Sequence, residues 1–324
     1  MTDHRYTIIE GDCIKGMRTL PDCCIQTCIT SPPYFGLRDY GKEEQIGQEE
    51  TPDRYVAKMV EVFREVRRIL REDGTVWLNL GDSYARQGGT KGKPRHWDGR
   101  EADAMKDMAT FRNLADEIGL KPKDMVGIPW RVALALQSDG WYLRQDIIWN
   151  KPNPMPEAVT DRCTKAHEYI FLLSKNQRYY FDNEVIREPS VTPTDGRGSW
   201  EERKKDGHPM RYGMANRGDG FKMPSISAPN GGRNKRSVWT VTTKPFRGAH
   251  FATFPKDLIE PCVLAGCPEG GTVLDPFTGS GTTCVVALKN NRRFVGTELN
   301  PDYIKIARTR IADEAPMSLM EVLE

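Results

Sequence analysis

Two hydrophobic rhythms alternate along the chain. Short apolar runs bounded by polar or turn-forming residues predict strands at Tyr6 to Glu10, Cys24 to Thr30, Thr75 to Leu80, Tyr142 to Trp149, Thr272 to Leu274 and Arg293 to Thr297. Between them, apolar residues at helical spacing predict helices. The clearest runs from Arg54 to Arg71, with Val56, Met59, Val60, Phe63, Val66, Ile69 and Leu70 on one stripe, and Glu72-Asp73-Gly74 to end it. Val126 to Ser138, Pro255 to Ala265, Thr282 to Lys289 and a stretch from Asp302 read as helices too. Alternation of this kind implies an α/β fold with a mostly parallel sheet and helices on both faces. His167 to Leu173 and Arg178 to Phe181 predict an antiparallel hairpin at one edge.

Two stretches interrupt the rhythm. Residues 85–123 are rich in Gly, Lys, Arg and Asp, and predict a mobile basic insertion. Residues 189–236 carry Pro, Gly, Ser, Asn and Arg with no periodic apolar face. The expected organisation is therefore a catalytic domain built from 1–188 and 237–324, with 189–236 inserted into it.

Composition narrows the picture. With 324 residues and a formal charge of only +2, the chain is not a polycation, so any nucleic-acid contact must draw on local charge. The eight cysteines form no CxxC pair and no zinc spacing with histidine, so no metal is expected. Free thiols, the absence of an apolar leader at the N-terminus and the absence of a membrane-length run predict a cytoplasmic protein with no membrane partner.

Two motifs carry chemistry. Asp275-Pro276-Phe277-Thr278-Gly279-Ser280-Gly281-Thr282 follows a strand and opens a helix, and Glu298 ends the next strand. Glycines there let backbone approach a ligand, and an acid at that place suits ribose hydroxyls. No GK[ST] follows, and Asp275 would repel a pyrophosphate, so the loop suits a cationic or zwitterionic ligand. Far upstream, Ser31-Pro32-Pro33-Tyr34 also closes a strand. Its prolines stiffen the backbone and withhold two N–H donors, which leaves the Ser31 hydroxyl and the Pro32 carbonyl as acceptors for an amine. Tyr34 offers a flat face for stacking.

Together SPPY and DPFTGSGTT resemble the signature pair of the S-adenosylmethionine-dependent DNA amino-methyltransferases, which act on N4 of cytosine or N6 of adenine. The catalytic motif precedes the cofactor motif, an order that resembles the β class of that family. The resemblance implies a Rossmann-like, circularly permuted methyltransferase sheet, S-adenosylmethionine as cofactor and double-stranded DNA as partner. It implies cofactor contacts from Asp12, Cys13, Thr30, His250, Phe251, Thr253, Asp275, Pro276, Phe277, Gly279, Ser280, Gly281, Thr282 and Glu298. It marks Thr75–Tyr84, Trp149–Asn153 and His167–Tyr169 as elements of the base pocket. A prokaryotic or phage origin follows, and a second copy of the chain or a separate restriction nuclease is compatible with it.

On this resemblance the target base is flipped from the duplex, Tyr34 stacks on it, and Ser31 with the Pro32 carbonyl grips its amine. Ser31 in first place points to N4 of cytosine; N6 of adenine on the same scaffold is the alternative, and an RNA or protein-amide methyltransferase a more distant one. Cys13 and Cys28 lack the Pro-Cys context of cytosine C5 chemistry. Arg197, Arg203, Lys204, Arg211, Arg217, Arg233, Lys235 and Arg236 are the expected DNA contacts.

Overall fold

The computed structural model describes residues 5–37, 45–85, 119–189, 232–243 and 254–316. The chain divides into two compact units, Met1–Asp182 with Arg236–Glu324, and Asn183–Lys235.

In the first unit, β1 (Tyr6–Glu10), β2 (Ile25–Thr30), β3 (Leu70–Leu80), β4 (Tyr142–Asn150), β5 (His167–Ser174), β8 (Val238–Thr240), β9 (Thr272–Asp275) and β10 (Arg293–Glu298) form one sheet, ordered β1-β10-β9-β2-β3-β5-β4-β8. β5 runs antiparallel to both its neighbours; the other pairings are parallel. The helices are α1 (Cys13–Arg18), α2 (Pro52–Ile69), α3 (Ile128–Ser138), α4 (Lys256–Gly266), α5 (Thr282–Lys289) and α6 (Pro301–Glu314).

Strand alternation sorts the core. Val76, Leu78, Leu80, Phe171 and Leu173 pack with Met17 of α1, Phe63 and Val66 of α2, and Val132 and Leu136 of α3. Trp77 points the other way, where a Cβ on Gly266 of α4 would lie 2.7 Å from its indole nitrogen. Helices thus cover both faces, as the alternation of elements implied.

α2 begins on a Thr51 cap that accepts from the Arg54 amide at 3.2 Å, with Pro52 in the first turn. Its buried stripe is Tyr55, Met59, Val62, Phe63, Val66 and Ile69, so the face is rotated slightly from the expected one, and Val56 and Val60 sit at its margin. The helix stops at Ile69, because Leu70 already pairs with Ile25 in β2. The next pairing is Thr27 with Thr75, so Arg71-Glu72-Asp73-Gly74 forms a bulge within β3.

The expected edge hairpin does not form. β5 is antiparallel, but β3 takes one of its edges and β4 the other, so no edge remains for Arg178–Phe181. That segment leaves the sheet: the Tyr180 amide donates to the Asp73 carbonyl at 2.8 Å, and Phe181 stacks on Trp77 with ring centroids 6.1 Å apart.

In the second unit, β6 (Glu188–Pro189) pairs antiparallel with β7 (Gly232–Arg233). Glu188 meets Arg233 at 3.3 Å and Lys235 at 3.7 Å, and Arg187 donates to Asn234. Most of the segment expected to read DNA, and the 86–118 part of the basic insertion, lie outside the described residues.

Candidate active site

Because β1, β10, β9, β2, β3 and β4 all run the same way, their C-terminal ends share one margin of the sheet, and antiparallel β5 starts there. Ligands of α/β sheets collect at this margin. It carries Asp12, Glu298, the glycine loop, Ser31–Tyr34, Gly81, Asp82, Lys151 and Glu168.

The two motifs are joined by a buried anion. Asp275 is 1% exposed. Its carboxylate accepts from Thr30 Oγ1 at 2.6 Å, Thr283 Oγ1 at 2.7 Å and the Phe277 amide at 3.0 Å. Burial nevertheless pushes this carboxyl up from 3.8 to about 6. Asp275 therefore acts as an internal latch and leaves only its field to a ligand.

The glycine loop itself is braced from below. Ser280 Oγ and Thr282 Oγ1 are buried and both accept from Arg310 of α6, at 3.1 and 2.8 Å. The Pro276 carbonyl accepts from Thr297 at 2.6 Å. These bonds hold the loop in place and leave the Ser280 and Thr282 hydroxyls their own hydrogens. Gly279 and Gly281 have φ of +51° and +77°, which side-chain-bearing residues rarely adopt, so the loop offers bare backbone to a ligand.

Glu298 ends β10 with its carboxylate against that backbone, accepting from the Gly279 amide at 2.8 Å and the Asn300 amide at 2.9 Å. Burial raises its pKa. Glu298 is register-paired with Glu10 of β1, and Asp12 follows as the cap of α1, accepting from the Lys15 amide at 2.9 Å. A carboxylate oxygen has lone pairs to spare beyond one bond, so Glu298 and Asp12 suit hydroxyl and ammonium donors. This acceptor-rich end fits a ligand with ribose hydroxyls and positive charge. His250, Phe251 and Thr253 lie outside the described residues.

The SPPY turn presents the second half. The Pro33 carbonyl accepts from Tyr55 Oη at 2.9 Å and the Tyr34 carbonyl from the Leu37 amide at 3.3 Å, whereas no described residue donates to the Pro32 carbonyl. Ser31 Oγ lies 3.4 Å from Tyr34 Oη. A Cβ on Gly81 would come within 2.6 Å of the Tyr34 ring, so the ring rests directly on that backbone.

Four side chains to which the sequence gave no individual role complete this end. The Tyr34 phenol donates to Glu168 at 2.7 Å and lies 3.2 Å from Asn79 Oδ1. The Asn79 amide nitrogen donates to Glu168 at 3.3 Å and to the Tyr169 carbonyl at 3.1 Å. Lys151 pairs with the other Glu168 oxygen and lies over the Trp149 ring at 4.2 Å. Burial, and the Glu168 charge after it, raise the Tyr34 pKa strongly, so the phenol stays protonated. Asp82 accepts from the Gly127 and Ile128 amides at 3.0 and 3.1 Å and anchors the start of α3.

Covalent catalysis by cysteine finds no support. Burial pushes the Cys13 thiol up to about 12, and burial of Cys28 within β2 holds its thiol well above the ordinary thiol range. Among the described residues no cluster is suited to hold a metal ion, and no helix is long and apolar enough to cross a membrane.

Comparison with known proteins agrees with this geometry. Residues 25–309 match the model of a DNA methylase family of the N6/N4 type. The chain is 44% identical over 308 residues to the Type II methyltransferase M.Cfr9I of Citrobacter freundii, covering 95% of this chain and 88% of that protein. It is 45% identical over 304 residues to the Type II methyltransferase M.SmaI of Serratia marcescens, covering 94% and 90%. Among solved structures, PvuII DNA methyltransferase (cytosine-N4-specific) superposes with a TM-score of 0.61 at 17% identity, over 98% of this chain and 92% of that one. A Thermus thermophilus protein described as a putative DNA modification methylase, complexed with S-adenosyl-L-methionine, superposes with a TM-score of 0.56 at 21% identity, over 96% of each chain. Both share the mostly parallel sheet with flanking helices.

Proposed function

Since this chain belongs to the N6/N4 family of DNA methylases, we propose that it transfers a methyl group from S-adenosylmethionine to N4 of cytosine in a base flipped out of duplex DNA. The observation that carries this reading is the Thr30–Asp275 bond, which sets the Ser31-Pro32-Pro33-Tyr34 acceptors beside the loop suited to the cofactor.

S-adenosylmethionine, when bound, supplies an electrophilic methyl on a sulfonium. Glu298 and Asp12 would hold its hydroxyls and ammonium, and Gly279 and Gly281 would let it lie against backbone. Buried Asp275 favours positive charge nearby. Ser31 Oγ and the Pro32 carbonyl accept the two amine hydrogens, which orients the nitrogen lone pair. Tyr34, fixed by its phenol and by Gly81, gives the base a face to stack on. Positioning of this kind provides much of the rate of a group transfer. We assign DNA reading to the basic residues of 189–236, with Arg233 and Lys235 exchanging Glu188 for phosphate.

The reading is tested by Ser31→Ala. Methyl transfer should fall by well over tenfold, on the order of a lost oriented hydrogen bond to a reacting group, while cofactor affinity survives. Equal loss of both would give Ser31 another job.

A further inference from the structure

The direction of each hydrogen bond around Tyr34 is set from one end. Glu168 Oε2 takes the phenol at 2.7 Å, and its other oxygen meets Lys151. Both side chains of that ion pair are mostly buried, at 18% and 17% exposure. A carboxylate accepts only, so the single phenol hydrogen points at Glu168. The neighbour at 3.2 Å, Asn79 Oδ1, is also an acceptor, since the Asn79 nitrogen is committed to Glu168 and the Tyr169 carbonyl. The phenol oxygen is thus left as an acceptor facing Ser31, whose Oγ lies 3.4 Å away. The Ser31 hydrogen turns toward Tyr34, and the Ser31 lone pairs are what the pocket receives.

We infer that Glu168 is a positioning residue which, through the Tyr34 phenol, biases Ser31 toward accepting, so that the site favours an exocyclic amine over a carbonyl in the same place. Cytosine carries an amine at position 4 and uracil a carbonyl; the ring shape is the same, and the accompanying change at N3, from acceptor to donor, is common to wild type and variants and so cancels in the comparison. A free serine hydroxyl serves either one by rotating. A serine whose hydrogen is drawn toward Tyr34 favours the amine, adding to the preference that the Pro32 carbonyl, an acceptor only, already sets. The inference rests on Ser31 receiving the target amine, as proposed above.

Two variants test it on the full-length protein. Glu168→Gln places an amide, which can donate, where only an acceptor stood. Tyr34→Phe cuts the connection while leaving the ring and the Lys151–Glu168 pair in place, so it reports even if the first variant folds poorly. Each is measured for single-turnover methylation, for cofactor affinity, and for affinity toward the methylated site with cytosine or uracil at the target position. Each variant should lose at least about fivefold in rate and shrink the cytosine-to-uracil preference by at least about threefold, with cofactor affinity unchanged. The double variant should be no worse than the poorer single one, because both changes act through one connection. A wild-type preference in both variants, or losses that multiply in the double, would overturn the inference. Ser31→Ala separates the two levels. Wild-type turnover in that variant removes the proposed function of the site. Its inactivation, with preference intact in the other two, removes only the role of Glu168.

Discussion

Thr30 Oγ1 and Asp275 Oδ1 lie 2.6 Å apart across 245 positions of sequence. The bond ties the end of β2, where Ser31-Pro32-Pro33-Tyr34 begins, to the end of β9, where the glycine loop begins. Because Asp275 is buried, its charge is tolerated only through its three donors.

That arrangement makes stability depend on pH. The Asp275 carboxyl is raised from 3.8 to about 6 in the folded chain, so folding favours its protonated form. The contribution is present below the unfolded value and is lost as pH rises through about 6. Between about pH 4.5 and pH 7 the wild type should lose roughly 2 kcal/mol relative to Asp275→Asn. Urea unfolding of both proteins at the two pH values measures the gap; an equal gap at both would mean that Asp275 is not buried as a charge.

Glu298→Ala should weaken S-adenosylmethionine binding by on the order of 1–3 kcal/mol, through lost bonds to ribose hydroxyls and a freed Gly279 amide. Titration calorimetry checks this. An unchanged dissociation constant would take Glu298 out of the cofactor site.

Gly81→Ala should leave cofactor affinity intact and cut turnover. A methyl there would sit 2.6 Å from Tyr34 Cε2, so ring or backbone must shift, at a typical overpacking cost of about 1–3 kcal/mol. Steady-state kinetics beside cofactor titration distinguishes the outcomes, and wild-type turnover would show that the position of Tyr34 is unimportant.

The paired ends of the insertion permit a clean deletion. Pro189 and Gly232 are register partners, so a short turn can replace the residues between them. The shortened protein should bind cofactor and lose preference for one DNA site over scrambled duplex. Its salt dependence should flatten by about one slope unit per phosphate contact removed. Unaltered site preference would move recognition elsewhere, with 85–123 the next candidate.

Much of the site is legible in the sequence. Strand, glycine loop, helix and terminal Glu298 can be read because each step is local: apolar period, turn residues, next strand. Ser31–Tyr34 can be read because two prolines and a terminal strand position dictate an acceptor-rich turn. What escapes depends on distant partners. The link from Tyr34 to Glu168 spans 134 residues, and nothing local marks it. The bonds that Ser280 and Thr282 accept from Arg310 of α6 span 30 and 28 residues, and nothing local marks them either. The hairpin at 167–181 fails for the same reason: Arg178–Phe181 follows β5 closely in sequence, and only the sheet order shows both edges of β5 occupied.

The atom that receives the methyl group is decisive. Purified protein, S-adenosylmethionine carrying a labelled methyl group and duplex DNA are incubated, the DNA is digested to nucleosides, and the labelled species is identified by mass spectrometry. Label in N4-methylcytosine is the predicted result. Label in N6-methyladenine would contradict the assignment of Ser31 to cytosine while keeping the scaffold and the amine chemistry, and label in 5-methylcytosine would contradict the mechanism itself.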